Sequence, residues 1–251
     1  MKLQNKVAVV TGSGRGIGRA VALAFAKEGA AVVVNDVDPE VAEAVVKEIA
    51  DAGGKAAACV AGVGTKAAAD ALVDAALAKF GSLHILMNNA GITRDAMLHK
   101  MTEEEWDAVI ITHLRGTFLN TQAAVRVMME NQYGKIINVT SVAGTRGNVG
   151  QSNYSAAKAG IVGLTLTWAK ELARHKINVN CISPAAITRM TEAIPDKVRQ
   201  QIYAQISRES VLQRVGGPED VAPLAVFLAS DDSYYLTGQV VGSTGGPMAV
   251  L

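Results

Sequence analysis

Val7-Ala8-Val9-Val10-Thr11-Gly12-Ser13-Gly14-Arg15-Gly16-Ile17-Gly18 is the stretch on which the reading of this chain turns. Four apolar residues make a short strand, glycines make a turn, and from Gly16 onward the apolar spacing becomes that of a helix. A glycine turn lets the backbone approach a pyrophosphate, and the helix behind it aims free N–H groups and a positive dipole end at the same place. The Gly-x-x-x-Gly-x-Gly spacing is a variant of the dinucleotide fingerprint, and it lacks the Lys-Ser/Thr ending of a triphosphate loop. Gly12, Ser13, Arg15, Gly16, Ile17 and Gly18 are therefore expected to line a dinucleotide. At the end of the next strand stands Asp36, placed to accept hydrogen bonds from both adenosine ribose hydroxyls and to repel a 2′-phosphate. Val37 follows it, where a phosphate would want Arg or Lys, so NAD(H) is the expected preference, with Arg15 able to soften it toward NADP(H).

Outward from this turn, short apolar runs alternate with longer helical ones to the end of the chain. Strands are expected at Val7–Val10, Ala31–Asn35, Ala56–Val60, Leu83–Met87, Lys135–Thr140, Asn178–Ile182 and Gln239–Gly242. Near-continuous apolar strands suit a parallel sheet covered on both faces. Helices are expected at about 16–28, 39–52, 66–80, 103–132 and 153–174, each with apolar residues three and four apart. The expected fold is α/β: a single Rossmann-type doubly wound domain over 1–251, with a seven-stranded parallel sheet and helices on both faces. The stretch at about 188–213 breaks the alternation around Pro195 and is expected to form a small helical lid at the strand ends. Its Met190, Ile194, Ile202, Ile206 and Leu212 offer an apolar cover.

Composition sets the outer limits. Of 251 residues 49% are hydrophobic, and 24 basic against 23 acidic side chains leave a net charge of +1. That charge is too small for general attraction to nucleic acid or an anionic membrane. No apolar run approaches the ~20 residues of a membrane helix, and the first residues do not read as a signal peptide. Cys59 and Cys181 lie in apolar strand-like runs, without the neighbours of a metal site, and suit reduced thiols. A cytoplasmic location and no metal are expected.

Tyr154-Ser155-Ala156-Ala157-Lys158 opens a helix, and the i, i+4 spacing puts Tyr154 and Lys158 on one face. A free phenol has a pKa of about 10 and is a poor acid or base near neutrality. A nearby ammonium, together with the positive nicotinamide of an oxidised cofactor, would stabilise the phenolate and lower that value. Ser141, directly after an apolar strand, would bring its hydroxyl beside the phenol. With the glycine turn and Asp36 these residues form a carbonyl-reduction constellation.

On Thr11–Gly18, Asn88-Asn89-Ala90-Gly91, Ser141 and Tyr154–Lys158, the sequence resembles the short-chain dehydrogenase/reductase family over essentially its whole length. The resemblance implies that Tyr154 is the general acid/base, that Ser141 polarises the carbonyl, and that Lys158 holds the nicotinamide ribose and depresses the Tyr154 pKa. It further implies that Asn89, Ala90 and Gly91 line the cofactor and that the turn at Pro184, Ile187 and Thr188 meets the carboxamide. A homotetramer or dimer, built through the helices at 103–132 and 153–174 and the C-terminal strand, follows on the same ground. The longer Tyr-to-Lys spacing of the enoyl-reductase branch is absent, which disfavours C=C reduction.

Three positions depart from the family pattern. The fourth catalytic position, an Asn in relatives, is His113 here; the adenine-contacting Asp is Gly62, followed by Val63; and the Pro-Gly after the sixth strand is Pro184-Ala185. Among subgroups the motifs most resemble the 3-oxoacyl-(acyl-carrier-protein) reductases, while His113 and the short Pro-Ala loop are similar to 3-hydroxyacyl-CoA dehydrogenase modules of multifunctional enzymes. The basic patch that would grip an acidic carrier protein reads Met129-Glu130-Asn131-Gln132-Tyr133, leaving Lys170 as a single cation. The expected substrate is therefore a 3-oxoacyl or 3-hydroxyacyl thioester, with acyl-CoA favoured over an acidic protein carrier. Alternatives are a dehydrogenase of steroids, polyols or small secondary alcohols, and a non-catalytic dinucleotide-binding sensor.

Overall fold

The computed structural model describes residues 1–186, 200, 203, 207 and 210–246. Seven parallel strands form one sheet: β1 (Val7–Val10), β2 (Ala31–Asp36), β3 (Lys55–Val60), β4 (Ile85–Asn88), β5 (Gly134–Val139), β6 (Ile177–Pro184) and β7 (Val240–Ser243). Their order is β3-β2-β1-β4-β5-β6-β7, so the winding reverses between β1 and β4. That reversal opens a crevice at the carboxyl ends of the strands, where ligands of such sheets bind.

Alternation along the strands divides the apolar side chains between two layers. On one face Ala8, Val10, Val32, Val34, Ile85 and Met87 pack against α1 (Gly16–Lys27), α2 (Pro39–Asp51) and α8 (Pro218–Ala229). On the other, Val7, Val9, Val33, Leu86, Ile136 and Val179 meet α3 (Lys66–Phe80), α5 (Gly116–Glu130) and α7 (Ser152–Leu172). A short α4 (Glu103–Ile110) and a single-turn α6 (Ala143–Arg146) lie beside the crevice. Cys59 and Cys181 are both buried free thiols.

The expected strands stand within two residues of where they form, and the expected helices need two revisions. The run at 103–132 is not one regular helix: a π-helical turn, Ile111–Arg115, separates α4 from α5. Such a turn widens the helix by one residue and commonly sits at a functional site; here it carries His113. Helix α8 was not expected, although Gly217-Pro218-Glu219-Asp220 carries its start signals. Proline at the first helical position needs no N–H partner, and the Asp220 carboxylate accepts from Gly217 N at 2.8 Å. Arg214 clamps the same carboxylate with two bonds of 2.6 Å.

Most of the expected lid lies outside the described residues, including Met190, Ile194, Ile202 and Ile206. Its described flanks are pinned: Ala186 bridges Gly216, Ser210 Oγ donates to Gly245 O, and Leu212 N donates to the same carbonyl. Leu212 itself is exposed. Among the described residues no helix is long and apolar enough to cross a membrane, and no cluster of His, Cys, Asp or Glu is arranged for a metal ion.

Candidate active site

The glycine turn runs from the end of β1 into α1 and is braced from below. Gly12 and Gly16 have φ of +61° and +53°, the left-handed region that side chains disfavour. A Cβ on Gly12 would stand 2.8 Å from Ala90 Cα, and one on Gly18 would stand 2.3 Å from Gly12 O. The turn thus packs against the start of the Asn-Ala-Gly segment with no space for side chains. Thr11 Oγ1 accepts from the N–H groups of Asn89 and Ala90, each at 3.0 Å. Asn89 Nδ2 donates back to Thr11 O and Gly12 O at 2.9 and 3.1 Å. The Asn89 Nδ2 group thus shapes the turn.

A second brace comes from Asn35, which the sequence reading passed over. Its buried side chain accepts from Gly12 N and donates to Cys59 O and Ala61 O, tying the turn to the end of β3. Ser13 is also inward: its hydroxyl donates to Val10 O and accepts from Asn35 N. The signal for Asn35 was its polarity in an otherwise apolar strand. A buried amide there must find partners, and the partners available are the loops that follow the strands.

Asp36 ends β2 with its carboxylate turned toward the turn. Oδ2 accepts from Gly14 N and Oδ1 from Asp38 N, both at 3.2 Å, and each oxygen retains a lone pair. A Cβ on Gly14 would lie 2.6 Å from Oδ2, so only glycine leaves the carboxylate accessible. Arg15 does not stand free beside it: the guanidinium bonds Asp38 Oδ2 at 2.6 Å. Ile17 faces the core layer under α1, while exposed Gly62 and half-buried Val63 follow β3 at the same rim. Pro184 closes β6 beside Ser243; Ile187 and Thr188 lie outside the described residues.

Across the crevice, α7 brings Tyr154 and Lys158 beneath the loop that follows β5. The Ser141 hydroxyl stands on the Tyr154 phenol side, where it favours the phenolate, and accepts from Ala143 N. Lys158 is buried, its Nζ donating to Val139 O at 2.7 Å and lying 5.4 Å from the Tyr154 ring centroid. Burial lowers the Lys158 pKa to about 8, which leaves the amine mostly protonated at neutral pH. The Tyr154 pKa is raised rather than depressed as expected. Burial of the phenol outweighs the lowering influence of the Ser141 hydroxyl, and the Asp95 carboxylate adds to the rise.

His113 joins this group from the π-turn. Its ring stands at 89° to that of Tyr154 with centroids 5.1 Å apart. Nε2 lies 2.8 Å from Ile92 O and 3.1 Å from Ile92 N. The shorter contact assigns the proton to Nε2, which leaves Nδ1 as a buried acceptor without a partner among the described residues. Burial first, and the Lys158 charge second, lower the imidazole pKa to about 3, so the ring is neutral. Gly91 is fixed by this ring, because a Cβ there would stand 2.3 Å from His113 Cε1.

The side chains behind the site form a network that motif reading did not reach. Asn88 donates to Thr121 and Asn138 and accepts from Asn120, while Asn138 donates to Thr165. Thr140 Oγ1 donates to Lys158 O and fixes the helix turn that carries the amine.

The residues present fit a dinucleotide. The glycine cradle has no space for a Cβ, the Asp36 carboxylate keeps unused lone pairs, and Lys158 has two N–H donors with no acceptor among the described residues. A family model described as enoyl-(acyl carrier protein) reductase matches residues 12–247. The 3-oxoacyl-[acyl-carrier-protein] reductase FabG of Thermotoga maritima is 47% identical over 98% of this chain and 99% of its own. The (2S)-[(R)-hydroxy(phenyl)methyl]succinyl-CoA dehydrogenase subunit BbsD of Thauera aromatica is 45% identical over 98% of each. A crystal structure from Sinorhizobium meliloti 1021, of a protein classed with the short-chain alcohol dehydrogenases, superposes with a TM-score of 0.92 at 33% identity, covering 98% of this chain and 97% of that one. Likeness of this extent in both sequence and topology places the chain in the short-chain dehydrogenase/reductase family, as a nicotinamide-dependent oxidoreductase acting on CH–OH and C=O groups.

Proposed function

We propose that this chain interconverts a 3-oxoacyl thioester and the corresponding 3-hydroxyacyl thioester, with NAD(H) as its preferred cofactor. The observation that carries the reading is the half-buried Tyr154 phenol beside the Ser141 hydroxyl, with the Lys158 amine 5.4 Å from its ring centroid. The glycine turn, Asp36, Ala90, Gly91 and Lys158 would hold the cofactor, whose nicotinamide supplies or accepts the hydride at the carbonyl carbon. In reduction Tyr154 donates its proton to the carbonyl oxygen, and in oxidation it takes the proton of the hydroxyl. Ser141 hydrogen-bonds the same oxygen and fixes its direction. The raised phenol pKa keeps the proton on Tyr154 until the oxygen accepts it, and the Lys158 ammonium stabilises the phenolate that remains. His113, neutral and held by Ile92, orients the Tyr154 ring without adding a second positive charge.

The named relatives act on a 3-oxoacyl carrier-protein thioester and on a hydroxyacyl-CoA, both with a carbonyl or hydroxyl near a thioester. An acyl-CoA is favoured here because Glu130 and Asn131 stand where a basic patch would meet an acidic carrier, and exposed Lys170 is a single cation. The Asp36 carboxylate supports NAD(H), since a 2′-phosphate would bring a second negative charge to it. A homo-oligomer through α4, α5 and α7 is supported by an apolar groove lined by Ile110, Leu114, Phe118, Gly160 and Leu164. The two buried free thiols suit the cytoplasm.

The deciding experiment follows nicotinamide absorbance with acetoacetyl-CoA, using NADH and NADPH in parallel. Turnover with NADH well above NADPH is expected. Turnover mainly with NADPH would overturn the cofactor assignment. No turnover with either, alongside tight NADH binding, would overturn the substrate assignment.

A further inference from the structure

The peptide that joins Lys158 to Ala159 is gripped by residues on both sides of Ser141. Thr140, buried and directly before Ser141, donates its hydroxyl to Lys158 O at 2.8 Å. Gly144, in α6, packs so closely on the same peptide that a Cβ there would stand 2.8 Å from Lys158 C and 2.8 Å from Ala159 N. Lys158 adds a third tie, its Nζ donating to Val139 O at 2.7 Å. Between these grips Ser141 is shaped locally: its hydroxyl accepts from Ala143 N at 3.2 Å, and its carbonyl accepts from Gly144 N at 2.9 Å.

Secondary structure does not require these contacts. The Thr140 backbone is already paired, its N–H donating to Ile182 O at 2.9 Å. Lys158 lies inside α7, where a carbonyl has the N–H four residues on as its helical partner, so the Thr140 hydroxyl takes the second lone pair. Helix α7 runs for 21 residues and α6 for four, so the long helix is the fixed member and the Ser141 loop is the one placed against it. Tyr154 stands one turn before Lys158 on that helix. Whatever fixes the Ser141 loop to the Lys158 peptide therefore fixes Ser141 relative to the phenol.

We propose that Thr140 and Gly144 are positioning residues for the reaction, which together clip the Ser141 loop onto the Lys158 turn of α7 and so set the Ser141 hydroxyl against the Tyr154 phenol. The inference rests on the roles given above to Ser141 and Tyr154, and it applies to any carbonyl on which they act. A hydroxyl stabilises charge developing on a carbonyl oxygen only while it is held in line, and a misplacement of about 1 Å is enough to cost a large part of the rate. Thr140 sets this alignment by a directed bond. Gly144 sets it by having no side chain, because a methyl at that position would meet helix backbone and push the loop away.

The test compares Thr140→Val, which removes the hydroxyl at nearly constant shape, Thr140→Ser, which restores it, and Gly144→Ala, all in the full chain. In Thr140→Val and Gly144→Ala, kcat for acetoacetyl-CoA reduction is expected to fall about tenfold or more, with KM and NADH affinity within a few-fold of wild type. Thr140→Ser should stay near wild type. In the reverse direction, with 3-hydroxybutyryl-CoA and NAD⁺, the pH profile of kcat in Thr140→Val should move to higher pH, because the phenol loses a hydroxyl that favours its anion. A loss of stability alone would leave that profile in place. Hydrogen exchange at the Ala143 and Gly144 amides reads the same geometry without substrate, and it should quicken about tenfold or more in Thr140→Val but not in Thr140→Ser. Should Gly144→Ala not fold, the two Thr140 variants carry the test. An unchanged kcat, an unmoved pH profile or unchanged exchange in folded Thr140→Val would overturn the positioning role. A wild type that binds NADH but turns over no thioester would overturn the thioester reading alone, and the exchange rates would then decide for or against the clip.

Discussion

The imidazole of His113 stands edge-on to the Tyr154 phenol, at 89° with centroids 5.1 Å apart, and its far side leaves no space for a side chain at Gly91. One ring thus sets both the wall of the catalytic tyrosine and the backbone of the Asn-Ala-Gly segment. The relationship gives a direct test. Gly91→Ala is expected to destabilise by about 1–3 kcal/mol through overpacking. In a His113→Ala background the same substitution meets no ring, and the penalty should fall by about 1 kcal/mol or more in a double-mutant cycle read by urea denaturation. Additive effects would show that the ring does not occupy that space.

Acid stability reports on the same residue. The folded imidazole pKa lies at about 3, below the ordinary 6.5 of a histidine, so between these values the unfolded chain binds a proton that the native state refuses. Stability contributed above about pH 6.5 is then lost progressively as pH falls toward 3. His113→Asn removes this proton linkage. Between pH 7 and pH 5 the wild type should lose about 1–2 kcal/mol more than the variant, read from urea midpoints at each pH. Parallel losses in the two proteins would contradict a buried neutral imidazole.

Tyr154→Phe deletes the phenolic proton while keeping the ring against His113. Turnover of a 3-oxoacyl thioester should fall by roughly 10²–10⁴-fold, with NADH affinity within a few-fold of wild type by fluorescence titration. Retained turnover would remove Tyr154 from the acid/base role.

Asp36→Asn keeps an acceptor for Gly14 N but discards the charge. The ratio of kcat/KM with NADPH to that with NADH is expected to rise by about tenfold or more, since the carboxylate no longer repels a 2′-phosphate. Arg15 stays paired with Asp38 and adds little to this gain. A ratio that does not move would locate cofactor choice elsewhere.

Phe118 is 41% exposed on α5, beside the apolar groove between that helix and α7. Phe118→Glu should shift the sedimentation profile of an oligomer toward smaller species without unfolding the subunit, as followed by circular dichroism. An unaltered profile would place the subunit contact on another face.

Much of this protein was determined by local pattern alone. Period and apolar continuity gave the alternation of strands and helices, because a strand covered on both faces must be apolar throughout. The glycines at 12, 14, 16 and 18, and Tyr154 with Lys158 one helical turn on, are local constraints and so are visible in local sequence. Helix α8 was missed despite its Gly-Pro-Glu-Asp start, because its apolar residues run nearly all round a helix buried against α1 and carry little periodicity.

What tertiary structure alone decided concerns residues brought together by the winding of the sheet. The π-turn that sets His113 against Tyr154 has no propensity signature in the local sequence. The neutrality of His113 and the raised Tyr154 pKa come from burial, which a phenol or imidazole in a string of letters does not reveal. The braces of the nucleotide turn, Asn35 and Asn89, and the Asp95–Gln151 hydrogen bond join positions from different crossovers. Sequence spacing fixes which side chains share one helix or strand; only the assembled sheet fixes which loops meet at its carboxyl edge, and the electrostatics of the site depend on that meeting.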